Sequence, residues 1–338
     1  MRSLLAALAV LSAAAGAQAP LSVPVKDFTV PWGREGRPRD PAIAPDGSVF
    51  FVGQEGNYIA RLDPGTGQFR KYEIDPGTNP HNCIVDARGN VWYSGNRNGM
   101  IGKLDPASGG LTRFPIPDTT VKDPHTMVFD KAGNIWFTAQ GSNAVGHLDV
   151  VTGKFRIVKI PLPAGKRSTN PYGLALDSRG RPWFNLFNTN TLGTLDPVTF
   201  ELKTYALAHE KTQDRRIAIT SDDKIWYVDY TRGYLGKLDP ITSKVEEWLL
   251  PGGAASLPYG MTVDDRDRLW IAESNPSKPN RLVGFDPKTK AFFSITELQG
   301  DRNTVRYMIF DRKTRQIWYG SDAGFIGRAD VSGVRTAM

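Results

Sequence analysis

Apolar and polar residues alternate along this chain in short bursts, and the bursts recur. The stretch NPHNCIVDARGNVWYSGNRNGMIGKLDP, residues 79–106, returns reworded as DPHTMVFDKAGNIWFTAQGSNAVGHLDV from Asp123 and as NPYGLALDSRGRPWFNLFNTNTLGTLDP from Asn170. A shorter copy, LPYGMTVDDRDRLWIAESN, starts at Leu257. Phe50, Trp92, Trp136, Trp183, Trp226, Trp270 and Trp318 mark the register, 42 to 48 residues apart. That period is the one expected of four-stranded propeller blades. Each repeat divides into an apolar run such as Cys83-Ile84-Val85, a Gly/Asx turn, the Trp strand, an IGKLDP-like strand, and a fourth strand such as Leu111–Ile116. Gly and Asx supply the backbone freedom of tight hairpins. Helical periodicity is absent, so the pattern predicts an all-β fold of seven four-stranded blades.

The two ends of the pattern predict a closed ring. The last repeat stops after its third strand, Phe325–Asp330, while Lys26–Pro31 near the start is an orphan fourth strand. The N-terminal strand is therefore expected to complete blade seven, which leaves only short, protected strand edges. An open solenoid would not need a split repeat.

Composition adds context. Residues 1–17 read as a secretory signal peptide, with Arg2, an apolar stretch from Leu4 to Ala15, and the small residues Ala15-Gly16-Ala17 before the cut. Residues 18–338 would then be one propeller domain, exported to the periplasm or secreted. No run is long enough for a membrane span. Cys83 is the one cysteine, expected to be a buried small hydrophobe, so stability must come from core packing. The net charge of +7 is scattered. Without a basic patch nucleic acid is not an expected partner, and the charge supports no more than a preference for anions.

Function is sought where the repeats stop agreeing. Five residues before the end of each first strand stand Arg39, His81, His125, Tyr172, Arg215, Tyr259 and Arg306. Pro precedes four of them (His81, His125, Tyr172 and Tyr259) and fixes the start of the strand. These seven large donors are expected to ring the mouth of the central channel. Arg39, Tyr172, Arg215 and Tyr259 are the ligand-binding candidates, suited to a carboxylate, a phosphate or a polarised carbonyl. His147 is expected to be exposed. A second set follows the Trp strands: Gln54, Glu55, Asn96, Gln140, Asn185, Asp229, Glu273 and Asp322. Its carboxylates are either charge partners of the arginines or, for Asp229, Glu273 and Asp322, ligands of Mg²⁺ or Ca²⁺. The loops Lys166–Thr169 and Ser274–Asn280 are candidate lids.

The repeat wording itself resembles a known family. Pro171-Tyr172-Gly173-Leu174, Gly133-Asn134-Ile135-Trp136-Phe137-Thr138, Asn98–Asp105 and Thr112-Arg113-Phe114-Pro115-Ile116-Pro117 are similar to the repeats of streptogramin B lyase (virginiamycin B lyase) and its relatives. The resemblance covers nearly all of the chain after residue 17. It implies a monomeric seven-bladed propeller that opens a lactone by Mg²⁺-assisted elimination. It also implies a His base opening the first strand of the last blade and a Glu after that blade's Trp strand. Here these positions are Arg306 and Asp322. An arginine is no base near neutral pH, so His81 and His125 become the acid/base candidates of a C–O lyase acting on a lactone, ester or acidic substrate. The alternative is a non-catalytic propeller that grips an anionic ligand or a protein partner. Gluconolactonase-type propellers share the shape, but their metal-ligand pattern is not matched here.

Overall fold

The computed structural model describes residues 20–275, 279–299 and 304–334. Residues 1–17, read above as a signal peptide, lie outside that set. The described chain forms seven four-stranded antiparallel sheets. Six are built from consecutive strands. The seventh is closed by Val25–Thr29, which pairs with Phe325–Asp330 in the register Phe28↔Ile326. The split repeat therefore does what the sequence predicted: chain start and chain end share one ladder.

Five blades pack by the same rule. The residue after the Trp is aromatic and lies opposite a glycine of the third strand, as in Tyr93↔Gly102 and Phe137↔Gly146; blade one has Ala60 and blade six Val283 at that place. A Cβ on Gly102 would stand 2.1 Å from the Tyr93 ring, and one on Gly146 would stand 2.2 Å from that of Phe137. The glycine of the IGKLD motif is thus a seat for a ring. The six tryptophans that mark the register are buried, and four send the indole N–H to the side chain six residues earlier. Trp92 reaches Asp86 at 3.0 Å, Trp183 reaches Asp177 at 2.9 Å, Trp226 reaches Thr220 at 3.1 Å and Trp270 reaches Asp264 at 3.0 Å. Buried indoles need such a partner. His147 is not exposed as expected: its ring lies 4.6 Å from that of Trp136 and its Nε2 is 3.0 Å from Asp130. An imidazole is short enough to rest against the indole, its plane tilted by 54°, and still reach the turn. Cys83 is buried as expected, and burial pushes its thiol pKa well up.

One irregularity positions the site. The innermost strands are Pro38–Ile43, Pro80–Val85, Pro124–Phe129, Pro171–Leu176, Asp214–Ile219, Pro258–Val263 and Val305–Asp311. Every one of them shifts register against its neighbour just after its start, for example between Pro80 and Cys83. A bulge leaves ladder groups unpaired and re-aims side chains. In three blades the freed N–H is taken by the side chain two residues after the Trp: Asn82 by Ser94 at 3.0 Å, Thr126 by Thr138 at 3.2 Å, and Gly173 by Asn185 at 2.6 Å. Ser94 and Thr138 also donate to the next blade, to the His125 and Tyr172 carbonyls at 2.9 and 2.8 Å. These small polar residues therefore stitch the ring about its axis.

Candidate functional site

The bulges bring the variable residues together. His81 and His125 stack with ring centroids 3.5 Å apart, and His125 lies 4.2 Å from Tyr172. The Tyr172 and Tyr259 hydroxyls are hydrogen-bonded to each other. The Arg215 guanidinium sits 4.0 Å from the Phe187 ring, 4.5 Å from Tyr230 and 5.0 Å from Tyr259. Arg306 lies 5.1 Å from the Tyr259 ring. Five of these contacts join members of the predicted ring from different blades, so His81, His125, Tyr172, Arg215, Tyr259 and Arg306 converge.

The channel they surround is filled from within by residues the sequence reading passed over. One residue beyond the ring stand Asp40, Asn82, Thr126, Gly173, Arg216, Gly260 and Tyr307. Arg216 crosses the axis: its Nη2 is 3.4 Å from Asp40, its Nη1 donates to Thr126 at 2.9 Å, and its Nε donates to the Arg306 carbonyl at 2.9 Å. Asn82 donates to Asp40 at 3.1 Å. Burial works against the charge of Arg216, but Asp40 and the surrounding phenols outweigh it, and its pKa is raised. A signal was present in the sequence: Asp40 and Arg216 are the two charged members at a position otherwise polar, aromatic or glycine.

This layer changes the chemistry of the ring. His81 and His125 are both under 5% exposed. Burial first, then Arg39 beside His81 and Arg216 beside His125, lowers both imidazoles well below 6.5. They are neutral, but stacked on each other and closed off from the surface, so the structure does not offer either as a base to an incoming substrate. Tyr259 is different. Burial raises its pKa, yet Arg306, Arg215, Arg39 and Arg216 together overcome this and bring it down to about 8. Its partner Tyr172 is pushed up to about 12 by burial and by Tyr259 itself.

At the mouth, Arg306 makes a two-pronged ion pair with Asp322, with Nη2 at 2.7 Å and Nε at 3.0 Å from Oδ2. Arg37 bridges Glu55 at 3.5 Å and Asp322 at 3.6 Å. Arg39 donates to Gln54 at 2.5 Å. Four guanidinium groups (Arg37, Arg39, Arg216, Arg306) therefore share three carboxylates (Asp40, Glu55, Asp322), and Arg215, set among aromatic rings, adds a fifth that pairs with none of them. Several buried polar atoms have no hydrogen-bond partner among the described residues: Nε and Nη2 of Arg39, Nε of Arg215, Nδ1 of His81 and Nε2 of His125. Buried polar groups are rarely left so, and a cluster of them on one axis is the mark of a place for a polar ligand or water.

The second set of residues does not converge. Asp229 pairs with Arg232 at 3.2 Å, Glu273 pairs with Arg281 through Nε at 2.7 Å, and Asp322 is held by Arg306. Each carboxylate is matched within its own blade. Among the described residues no group of three or more His, Cys, Asp or Glu is arranged to hold an ion. Magnesium wants clustered free oxygens, and this donor set, already spent on guanidinium groups, does not fit it. Of the candidate lids, Ser168, Thr169 and Asn170 are tied to the Asn143 side chain or to one another, while the second loop is described only in part.

Comparison with known proteins agrees with this architecture. Residues 18–167 match the Virginiamycin B lyase family. A streptogramin B lyase structure superposes with a TM-score of 0.81 at 22% identity, covering 93% of this chain and 99% of that one. Virginiamycin B lyase from Staphylococcus aureus gives 0.80 at 18% identity, over 91% and 99%. The extracellular domain of a hybrid two-component system from B. thetaiotaomicron gives 0.68 at 16% identity, over 94% of this chain and 44% of that one. No curated protein matches the chain. Among the described residues no helix is long and apolar enough to cross a membrane. The resemblance read from the repeats stands: residues 18–167 carry the virginiamycin B lyase family pattern, and the described chain is a seven-bladed propeller with the fold of streptogramin B lyase.

Proposed function

We propose that this protein is an exported, monomeric propeller that binds a small anionic ligand at the mouth of its axis and does not run the elimination of its relatives. The observation that carries this is the surplus of guanidinium over carboxylate around buried N–H groups of Arg39 and Arg215 that no protein acceptor takes. Guanidinium forks are the usual partners of carboxylate and phosphate. Where the family resemblance puts a base, Arg306 is locked to Asp322. Export is supported by the N-terminal pattern and by the extracellular origin of one structural neighbour.

Titration calorimetry with galacturonate and with inorganic phosphate tests the binding. Salt-sensitive uptake of either, lost in Arg215→Met, supports it; no uptake of either at low salt ends it. The lyase reading, which the family match favours, is the second. In it Tyr259, whose surroundings bring its pKa to about 8, would take the proton in place of a histidine once ligand entry frees its buried hydroxyl from Tyr172. Mass spectrometry of a cyclic streptogramin B lactone incubated with the protein, with Mg²⁺ or with EDTA, separates the two. An intact lactone under both conditions is expected. Ring opening at unchanged mass would replace the binding reading with the lyase reading.

A further inference from the structure

Phe187 packs on Arg215 at the axial mouth, 4.0 Å from its guanidinium. The same residue also lines a cleft of about 310 Å³ between the loops of blades four and five. Around that cleft stand Lys166, Arg167 and Lys211, all exposed and with no ion-pair partner among the described residues, against the single carboxylate of Glu210. Asn188 and Asn190 complete the wall, and neither side-chain amide is used by another described residue. The cleft is therefore cationic, floored by an aromatic ring, and lined by free amides. The Phe187 ring alone stands between it and Arg215, whose buried Nε has no hydrogen-bond partner among the described residues.

We infer that the blade four–five cleft is a subsite continuous with the axial mouth, and that its ligand is an acidic oligosaccharide whose terminal carboxylate reaches Arg215. The inference rests on the anion-binding reading above and extends it to a substrate class. Carboxylates on successive sugars would meet Arg215 and then Lys211, Lys166 or Arg167. Phe187 offers a flat face to the C–H side of a sugar ring. Asn188 and Asn190 each present a donor pair and an acceptor, which suits hydroxyl groups that both give and accept. An acidic peptide fits less well, because peptide capture of this kind uses an open strand edge, and this cleft is built from loops.

The test uses galacturonate, tri-galacturonate, neutral maltotriose and a tri-glutamate peptide, with affinity read by calorimetry on the whole protein. Attachment at two places should make the tri-galacturonate bind at least about ten-fold tighter than the monomer. Arg167→Ala with Lys211→Ala, exposed positions whose loss should leave the fold intact, should remove that gain and leave monomer affinity unchanged. Maltotriose should not bind. A trimer that binds no better than the monomer, or a gain that survives the double variant, overturns the subsite while the axial reading stands. Tri-glutamate binding as tightly as tri-galacturonate overturns the sugar class. Loss of monomer binding is not expected from the cleft variant, and monomer binding that persists in Arg215→Met would overturn the axial reading instead.

Discussion

Arg216 of blade five and Asp40 of blade one face each other across the axis at 3.4 Å, both buried, and bolt opposite sides of the ring together. Removing one partner of such a pair leaves an uncompensated buried charge, which costs about 3–5 kcal/mol. Asp40→Asn and Arg216→Met should each lower stability by that order in chemical denaturation. Together they should cost less than the sum, because neither charge is then stranded. Single variants within about 1 kcal/mol of the parent would show that the bolt is not needed.

The stacked histidines should make the ring acid-sensitive. Both imidazoles have folded pKa values well below 6.5, so the unfolded chain binds protons that the folded one refuses. Stability is then full above about pH 6.5 and falls as pH drops below it, by roughly 1–2 kcal/mol per ring near pH 5. Unfolding midpoints measured from pH 7 to pH 5 should fall, and should fall less in a His81→Gln, His125→Gln variant. An identical slope in both proteins would contradict this.

Asp214 works in the opposite sense. Burial, then the charge of Asp229 opposite it, raises its carboxyl to about 8, so the folded state holds a proton that the unfolded chain releases above about pH 4. Its contribution to stability therefore declines from pH 4 to pH 8. Asp214→Asn should stabilise the protein at pH 7, on the order of 3 kcal/mol, and the advantage should vanish near pH 4. A variant less stable than the parent at pH 7 would mean that the carboxyl is needed where it lies.

Tyr259 should tune the mouth. Burial raises its pKa, the four arginines around it lower it more, and the outcome is about 8. Ionisation above that pH puts a negative charge among the groups proposed to grip an anion. Galacturonate affinity should drop several-fold between pH 7 and pH 9, and Tyr259→Phe should flatten the profile. An unchanged profile in the Phe variant would assign the dependence to another group.

Much of this molecule was legible in the order of its residues. The Trp spacing gave the blade count, and the unpaired strands at Lys26–Pro31 and Phe325–Asp330 gave the closure, because a ladder needs a partner and only the two ends lacked one. Ring positions such as His81 and Tyr259 were visible as breaks in a repeat. Their environment was not. Whether a histidine at a channel mouth is a base or a buried neutral ring depends on what fills the next layer, and that layer is set by the bulge after Pro80 and its counterparts. The same bulge sends Arg216 across to Asp40, residues 176 positions apart. Likewise, whether Asp229, Glu273 and Asp322 meet at an ion or each keep an arginine is a matter of distances between blades. The sequence determined the repeating unit and its closure because these follow from local pairing and period. Only the tertiary structure decided the chemistry of the axis, because there seven strands from distant parts of the chain set one another's charge and solvent access.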